Sequence, residues 1–169
     1  PASDPKAVQV AEQVLDALGG HRRWDALAGL GSSFGSAVND TVRSSRRHAW
    51  NKHTGQHRVA GTLRTGQAFV VVHTVGDTLR GAAWLDGRAL EGDSLHLFVK
   101  RSDAMWVNDS YWFLMPYKLL DGGVTLKYEG EEREGDATWD CVALSFADVG
   151  LTPGDRYRVF VNGKSHRIE

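Results

Sequence analysis

A chain of 169 residues with 20 Lys and Arg against 21 Asp and Glu carries a formal net charge of −1, and 41% of its residues are hydrophobic. That length and apolar share predict one self-folding domain over 1–169 and exclude disordered and fibrous classes. A balance so close to neutral excludes a phosphate-backbone binder, so nucleic acid is not expected as a partner, and Cys141, the single cysteine, excludes an internal disulfide and every multi-thiolate metal site.

The apolar runs, such as Ala68–Val72 and Tyr111–Met115, fall far short of the roughly 20 residues of a membrane-spanning helix. Pro1–Pro5 reads as a tether of the kind left after an export signal is trimmed, which points to the periplasm or outer membrane. From Lys6 to Leu18 the residues Ala7, Val10, Ala11, Val14, Leu15 and Leu18 follow i, i+3, i+4 spacing between Asp4-Pro5 and Gly19-Gly20, an amphipathic helix. A short second helix is predicted at His21–Leu27.

Beyond Leu30 the period becomes two. Strands are predicted around Phe34–Val38 and at Val42–Asn51, Arg58–Arg64, Ala68–Val75 and Thr78–Leu85, with turn residues between them. Connections so short make antiparallel hairpins in series and leave no room for the crossover helices of a parallel sheet. Ser94 then caps a helix through Leu95, Phe98, Val99 and Met105 towards Asn108. Asn108-Asp109-Ser110 reads as a turn, and strands resume at Tyr111–Leu114, Val124–Glu129, Thr138–Phe146, Tyr157–Val161 and Ser165–Ile168, with Gly130–Gly135 a solvated hairpin loop and Val149–Asp155 a turn. About ten strands in series twist enough to curl. The expected fold is α+β: one strongly curved antiparallel sheet, an incomplete β-barrel, with the N-terminal helix and a mid-chain helical lid on its concave face.

Trp106-Val107-Asn108-Asp109-Ser110-Tyr111-Trp112-Phe113-Leu114-Met115-Pro116-Tyr117-Lys118-Leu119 resembles a segment of a group of uncharacterised secreted bacterial domains. These are similar in architecture to the outer-membrane lipoprotein carriers and receptors, the LolA/LolB-like superfamily. Leu144-Ser145-Phe146 with Val149–Asp155 and the following strand resembles the closing half of the same domain, and Leu18-Gly19-Gly20 with Trp24-Asp25-Ala26-Leu27 its opening. The resemblance implies an apolar cavity that in relatives receives acyl chains, and it brings no catalytic residue. Carriers also have an arginine near the start of the sheet; Arg43, Arg46 and Arg47 all stand there, and none is singled out.

The strand Val42–Trp50 puts Arg46, His48 and Trp50 on one face. Either that row lines a site for an anionic head group, or the strand is an edge whose solvated arginines block aggregation. His48, His53 and His57 straddle the Thr54-Gly55 loop, and with His73 and His96 show no metal-ligand spacing, so neither metal nor cofactor is expected. Cys141 reads as a small apolar core residue. Six tryptophans, among them Trp50, Trp84, Trp106 and Trp112, together with Phe69, either fill a core or line a cavity. Tyr117 and Lys118 either form the cavity mouth, the ammonium meeting a phosphate or carboxylate, or belong to a corner-turning segment. The function expected is a non-enzymatic envelope protein that binds a lipid, an acyl chain or a lipoprotein-like ligand between sheet and helices, with membrane association through an N-terminal anchor. The alternative is an envelope-anchored interaction module with a filled core.

Overall fold

The computed structural model describes residues 2–147 and 154–169. Its elements in chain order are α1 (Pro5–Ala17), α2 (Gly20–Ala26), β1 (Gly29–Val38), β2 (Thr41–Asn51), β3 (Gln56–Thr62), β4 (Ala68–Thr74), β5 (Gly81–Leu85), β6 (Arg88–Ala89), α3 (Gly92–Lys118), β7 (Val124–Glu134), β8 (Ala137–Phe146) and β9 (Arg156–Asn162). The protein is α+β with two antiparallel sheets, one ordered β1-β2-β3-β4-β5-β6 and the other β7-β8-β9, and neither closes on itself. The single sheet of about ten strands expected from the sequence is therefore replaced by two. The reason is α3. Tyr111–Leu114, expected to continue the sheet, is helical, and Asn108-Asp109-Ser110, expected to turn, lies inside the same 27-residue helix.

The chain divides into two compact units, one of residues up to Ala26 together with Ser110–Glu169, the other Leu27–Asp109. In the first unit Ala7, Val10, Ala11 and Val14 of α1 are fully buried against Leu119 of the segment after α3 and Leu126, Val142, Leu144, Val159 and Val161 of the three-stranded sheet. Burying both an amphipathic stripe and one sheet face in a single layer satisfies the pattern read from the sequence. The expected tether is part of this unit. The Asp4 amide donates to the Leu126 carbonyl at 2.9 Å, and Ser3 Oγ and Asp4 Oδ2 accept the amides of Leu126 and Tyr128, both at 3.0 Å. Gly130–Glu134 is strand and not loop: the turn sits at Gly135-Asp136, and a bulge between Tyr128 and Gly130 absorbs the extra residue. Ser165–Ile168 makes one bridge, Val161 to Ile168, instead of a strand. The Val149–Asp155 turn falls mostly on 148–153, which lie outside the described residues.

The second unit is a meander. Its β1–β2 hairpin turns at Asn39 and Asp40, both at positive φ (49° and 59°), the backbone of a tight turn that Asn and Asp tolerate. Pairing fixes which residues share a face: His48 stands opposite Val59, Trp50 opposite His57, His57 opposite His73, Val59 opposite Val71, and Gly61 opposite Phe69. Val59, Phe69, Val71 and Ala83 of that face bury with Val99 of α3, and Leu95, Phe98 and Met105 pack at the margin. Gly81 is required there. A Cβ at that position would stand 2.7 Å from the Val72 carbonyl oxygen and 2.9 Å from Val99 Cγ2.

Leu126 is 1% exposed at the centre of the first unit's core. Leu126→Ala is expected to lower the unfolding free energy by about 2 to 5 kcal/mol, read as a shift of the urea midpoint at constant slope. Gly81→Ala is expected to destabilise as well, through the contacts with Val72 and Val99, whereas Gly87→Ala, with nothing within 4 Å, pays only the strain of its positive φ.

Candidate functional site

The polar centre of the second unit is a row of buried side chains with the part-buried Arg46 at one end. β2 contributes Arg46 and His48, β3 contributes His57, β4 contributes His73, and all four point to the face covered by α3. Direct pairing sets His57 beside His73, and the diagonal across β2 and β3 sets His48 beside His57. Val99, Ser102, Trp106 and Asp109 recur at 3, 4 and 3 residues along α3 and are all buried, so one helix stripe lies over the row.

His48 Nε2 meets Asp109 Oδ2 at 3.0 Å, His48 Nδ1 meets His57 Nε2 at 2.9 Å, His57 Nδ1 meets His73 Nε2 at 3.0 Å, and His73 Nδ1 donates to the Thr74 carbonyl at 3.0 Å. At the Asp109 end, Arg46 forks onto the carboxylate through Nε and, at 2.7 Å, through its terminal nitrogen, while Asn108 Nδ2 donates to Oδ1 at 2.9 Å. At the other end Asp103 Oδ1 accepts the Gly76 amide at 2.8 Å and stands 3.9 Å from His73 Nδ1. Trp106 covers the row, its ring 5.0 Å from that of His57 and 4.7 Å from that of Trp50.

Burial pushes the Asp109 carboxyl up, but the hydrogen bonds from Arg46, His48 and Asn108 and the Arg46 charge outweigh it and hold the group at about 2. Burial, reinforced by the charges of His73 and His48, pushes His57 down to about 3. The middle ring is therefore neutral at neutral pH. Because His57 spends one nitrogen on each neighbour, the three rings are strung in line and do not converge on a point. Among the described residues no group of three or more His, Cys, Asp and Glu side chains is arranged to hold a metal ion.

The structure gathers six of the residues singled out in the sequence, Arg46, His48, Trp50, Phe69, Trp84 and Trp106, into this one unit, and all but Trp84 lie between the sheet and α3. β2 lies between β1 and β3, so the edge-strand reading of its arginines is corrected, and the anion that Arg46 and His48 meet is the protein's own Asp109. Trp84 shares the opposite sheet face with Val70. Trp112, Tyr117 and Lys118 belong to the first unit. Tyr117 stacks on Trp24 at 4.7 Å, Lys118 pairs with Asp121, and Trp112 is half exposed with its edge to Tyr157. Asp109 was hidden because an Asn-Asp-Ser triplet reads as a turn; His57 and His73 carried a usable signal, standing eight residues on either side of Thr65 in the hairpin loop that pairs them. Cys141 is buried in β8, and burial pushes its thiol up, as befits an inert core residue.

Compared with family models, with curated proteins and with solved structures, the chain matches none.

In an unfolded chain His57 takes a proton below its ordinary 6.5, whereas the folded protein refuses it until about 3, so the stability of this neutral ring is complete above pH 6.5 and drains between 6.5 and 3. Asp109 adds a second loss between 3.8 and about 2. The urea midpoint of the wild type is expected to fall from pH 7 to pH 4, and that of His57→Gln, which lacks the titrating ring, to fall distinctly less. Parallel acid limbs would contradict the assignment. Asp109→Asn, which leaves Arg46 and His48 facing a neutral amide, is expected to cost about 2 to 4 kcal/mol at pH 7 in the same measurement.

Proposed function

We propose that the protein is a non-enzymatic module of the cell envelope that takes an apolar ligand, an acyl chain or a lipid-bearing protein, on exposed aromatic side chains of the first unit. The observation that carries this reading is Trp112, 53% exposed near the C-terminal end of α3 with Phe113 beside it at 37% and Leu120 beyond at 40%. A large indole costs free energy when left in water, and tryptophan is enriched where a partner later covers it. Trp112 is also backed by a platform: Tyr157 meets it edge-on at 5.8 Å, and Tyr111 and Phe146 continue the ring cluster at 5.7 and 5.8 Å. A rigid aromatic bed of this kind holds an anchor without ordering it on binding.

The aromatics expected to line an interior cavity support a surface site instead, since Trp50, Trp106 and Phe69 are already occupied by one another, by His57 and by Phe98. Catalysis has little to recommend it at the histidine row, where each ring nitrogen already faces a protein neighbour. A second reading, an interaction module, is favoured by the β1–β2 ribbon. Its residues beyond Ser45 towards the turn pair only with each other, and Val38 and Val42 are 52% and 68% exposed at its tip.

A fluorescent long-chain fatty acid titrated into the full chain tests the first reading. Saturable binding by the wild type is expected, weakened about tenfold or more by Trp112→Ala with the circular dichroism unchanged. Absence of probe uptake by the wild type would remove the proposal, and equal uptake by the two would remove Trp112 from it. Weakening by Val38→Asp with Val42→Asp, and none by Trp112→Ala, would move the site to the ribbon.

A further inference from the structure

The row from Asp109 to Thr74 contains four hydrogen-bond contacts: Asp109 to His48, His48 to His57, His57 to His73, and His73 to the Thr74 carbonyl. Each contact needs one proton between its two heavy atoms. Both ends of the row accept only, a carboxylate at one and a backbone carbonyl at the other. Three neutral imidazoles bring three protons to four contacts. One contact would then have two lone pairs facing each other at about hydrogen-bond distance inside the protein, the arrangement that buried polar groups avoid.

We infer that His48, His57 and His73 together hold one proton more than three neutral rings, that this proton passes between His48 and His73 through the middle ring, and that the grip of α3 on the six-stranded sheet depends on it. Charge gives independent support. The groups facing the row are Arg46 from β2 and Asp103 and Asp109 from α3; β1 offers the uncharged Ser32 opposite His48, and β5 offers Gly81 opposite His73. One imidazolium with Arg46 balances the two carboxylates, whereas three neutral rings leave an excess of negative charge beside the row, on the buried Asp109 and the part-buried Asp103.

With the middle ring neutral, two proton arrangements satisfy all four contacts. With the extra proton on His48, that ring donates to both Asp109 and His57, and His57 donates onward through Nδ1. With it on His73, that ring donates to both Thr74 and His57, and His57 donates back through Nε2. The two differ in which end ring is the imidazolium and in which nitrogen of His57 carries its hydrogen, and moving the charge from one end to the other shifts one proton across each of the two ring-to-ring contacts. No bond other than N–H changes, and no oxidant or cofactor enters. The carboxylates at the two ends are what keep either arrangement within reach of the other.

The sign of the pH effect follows. A folded row that holds a proton the unfolded histidines have already lost is stabilising while the proton is bound, and the contribution disappears as pH rises and the row loses it. This alkaline limb is the opposite of the acid limb set by a second proton on His57. Stability is then greatest between the two.

Long-range proton–nitrogen spectra of the 15N-labelled full chain at about pH 7 count the ring protons directly. The inference expects four protonated nitrogens among the six of His48, His57 and His73, with both His57 nitrogens at intermediate shifts. Three protonated nitrogens, or a single fixed tautomer of His57, would overturn it. Asp103→Asn keeps an acceptor for the Gly76 amide and removes the charge, so it should drive the proton to His48 and fix His57 as the Nδ1–H tautomer; unchanged averaging at His57 would count against the shuttle. Amide exchange over Val99–Asp109, corrected for intrinsic hydroxide catalysis, should quicken about ten- to a hundredfold as the row loses its proton at alkaline pH, and a flat corrected rate would overturn the link to α3.

Discussion

A carboxylate taken out of water must be repaid in hydrogen bonds, and Asp109 collects them from Arg46, His48 and Asn108. Much of the second unit is arranged around that requirement. Arg46 and His48 have to share a face of β2, which fixes the strand's alternation. The same alternation then delivers His57 and His73 from the next two strands, because the pairing register places them alongside. Asp109 in turn fixes the rotation of α3 over the sheet, and with it the positions of Val99, Ser102 and Trp106. The apolar cluster of Val59, Phe69, Val71, Ala83 and Val99 supplies the driving force, but it is non-directional; the hydrogen-bonded row selects one docking among the many that would bury similar area.

The first unit is stabilised differently. Its core is aliphatic, with α1 laid on a three-stranded sheet, and the charges it carries lie mainly at the rim, such as Arg158 between Glu129 and Glu132. Such exposed pairs contribute little to stability. One of its polar contacts is structural, Tyr128 Oη donating to Asp140 at 2.7 Å, and together with burial that bond pushes the phenol up to about 12. The aromatic rings are also divided by role. Trp106 is spent on covering His57 and Trp50 on packing against Trp106, Trp24 and Tyr117 stack on each other, and Trp112 retains surface that packing has not used. That allocation is what separates candidate ligand surface from scaffold.

The sequence by itself determined the local elements wherever one residue class repeats at one period. The helix over Lys6–Leu18, the hairpins from Val42 to Leu85 and the antiparallel sense of every pair follow from apolar spacing and turn residues, which act over a few positions. It failed on α3, because the buried stripe of that helix includes Ser102, Asp109 and Ser110, whose residue types signal solvent and turns when read locally. A turn at Asn108-Asp109-Ser110 and a strand at Tyr111–Leu114, assigned where α3 continues, made one sheet out of two. Arg46, His48, Trp50 and Trp106 were legible as unusual, but not what they meet. Contact between His48 and Asp109, sixty-one positions apart, depends on strand register and helix docking together, and a polar residue becomes buried or exposed only when its partner arrives. Tertiary structure alone decided that this charged face would turn inward and hold its own counter-ions, since the cost of burying each group is met only by the presence of the others.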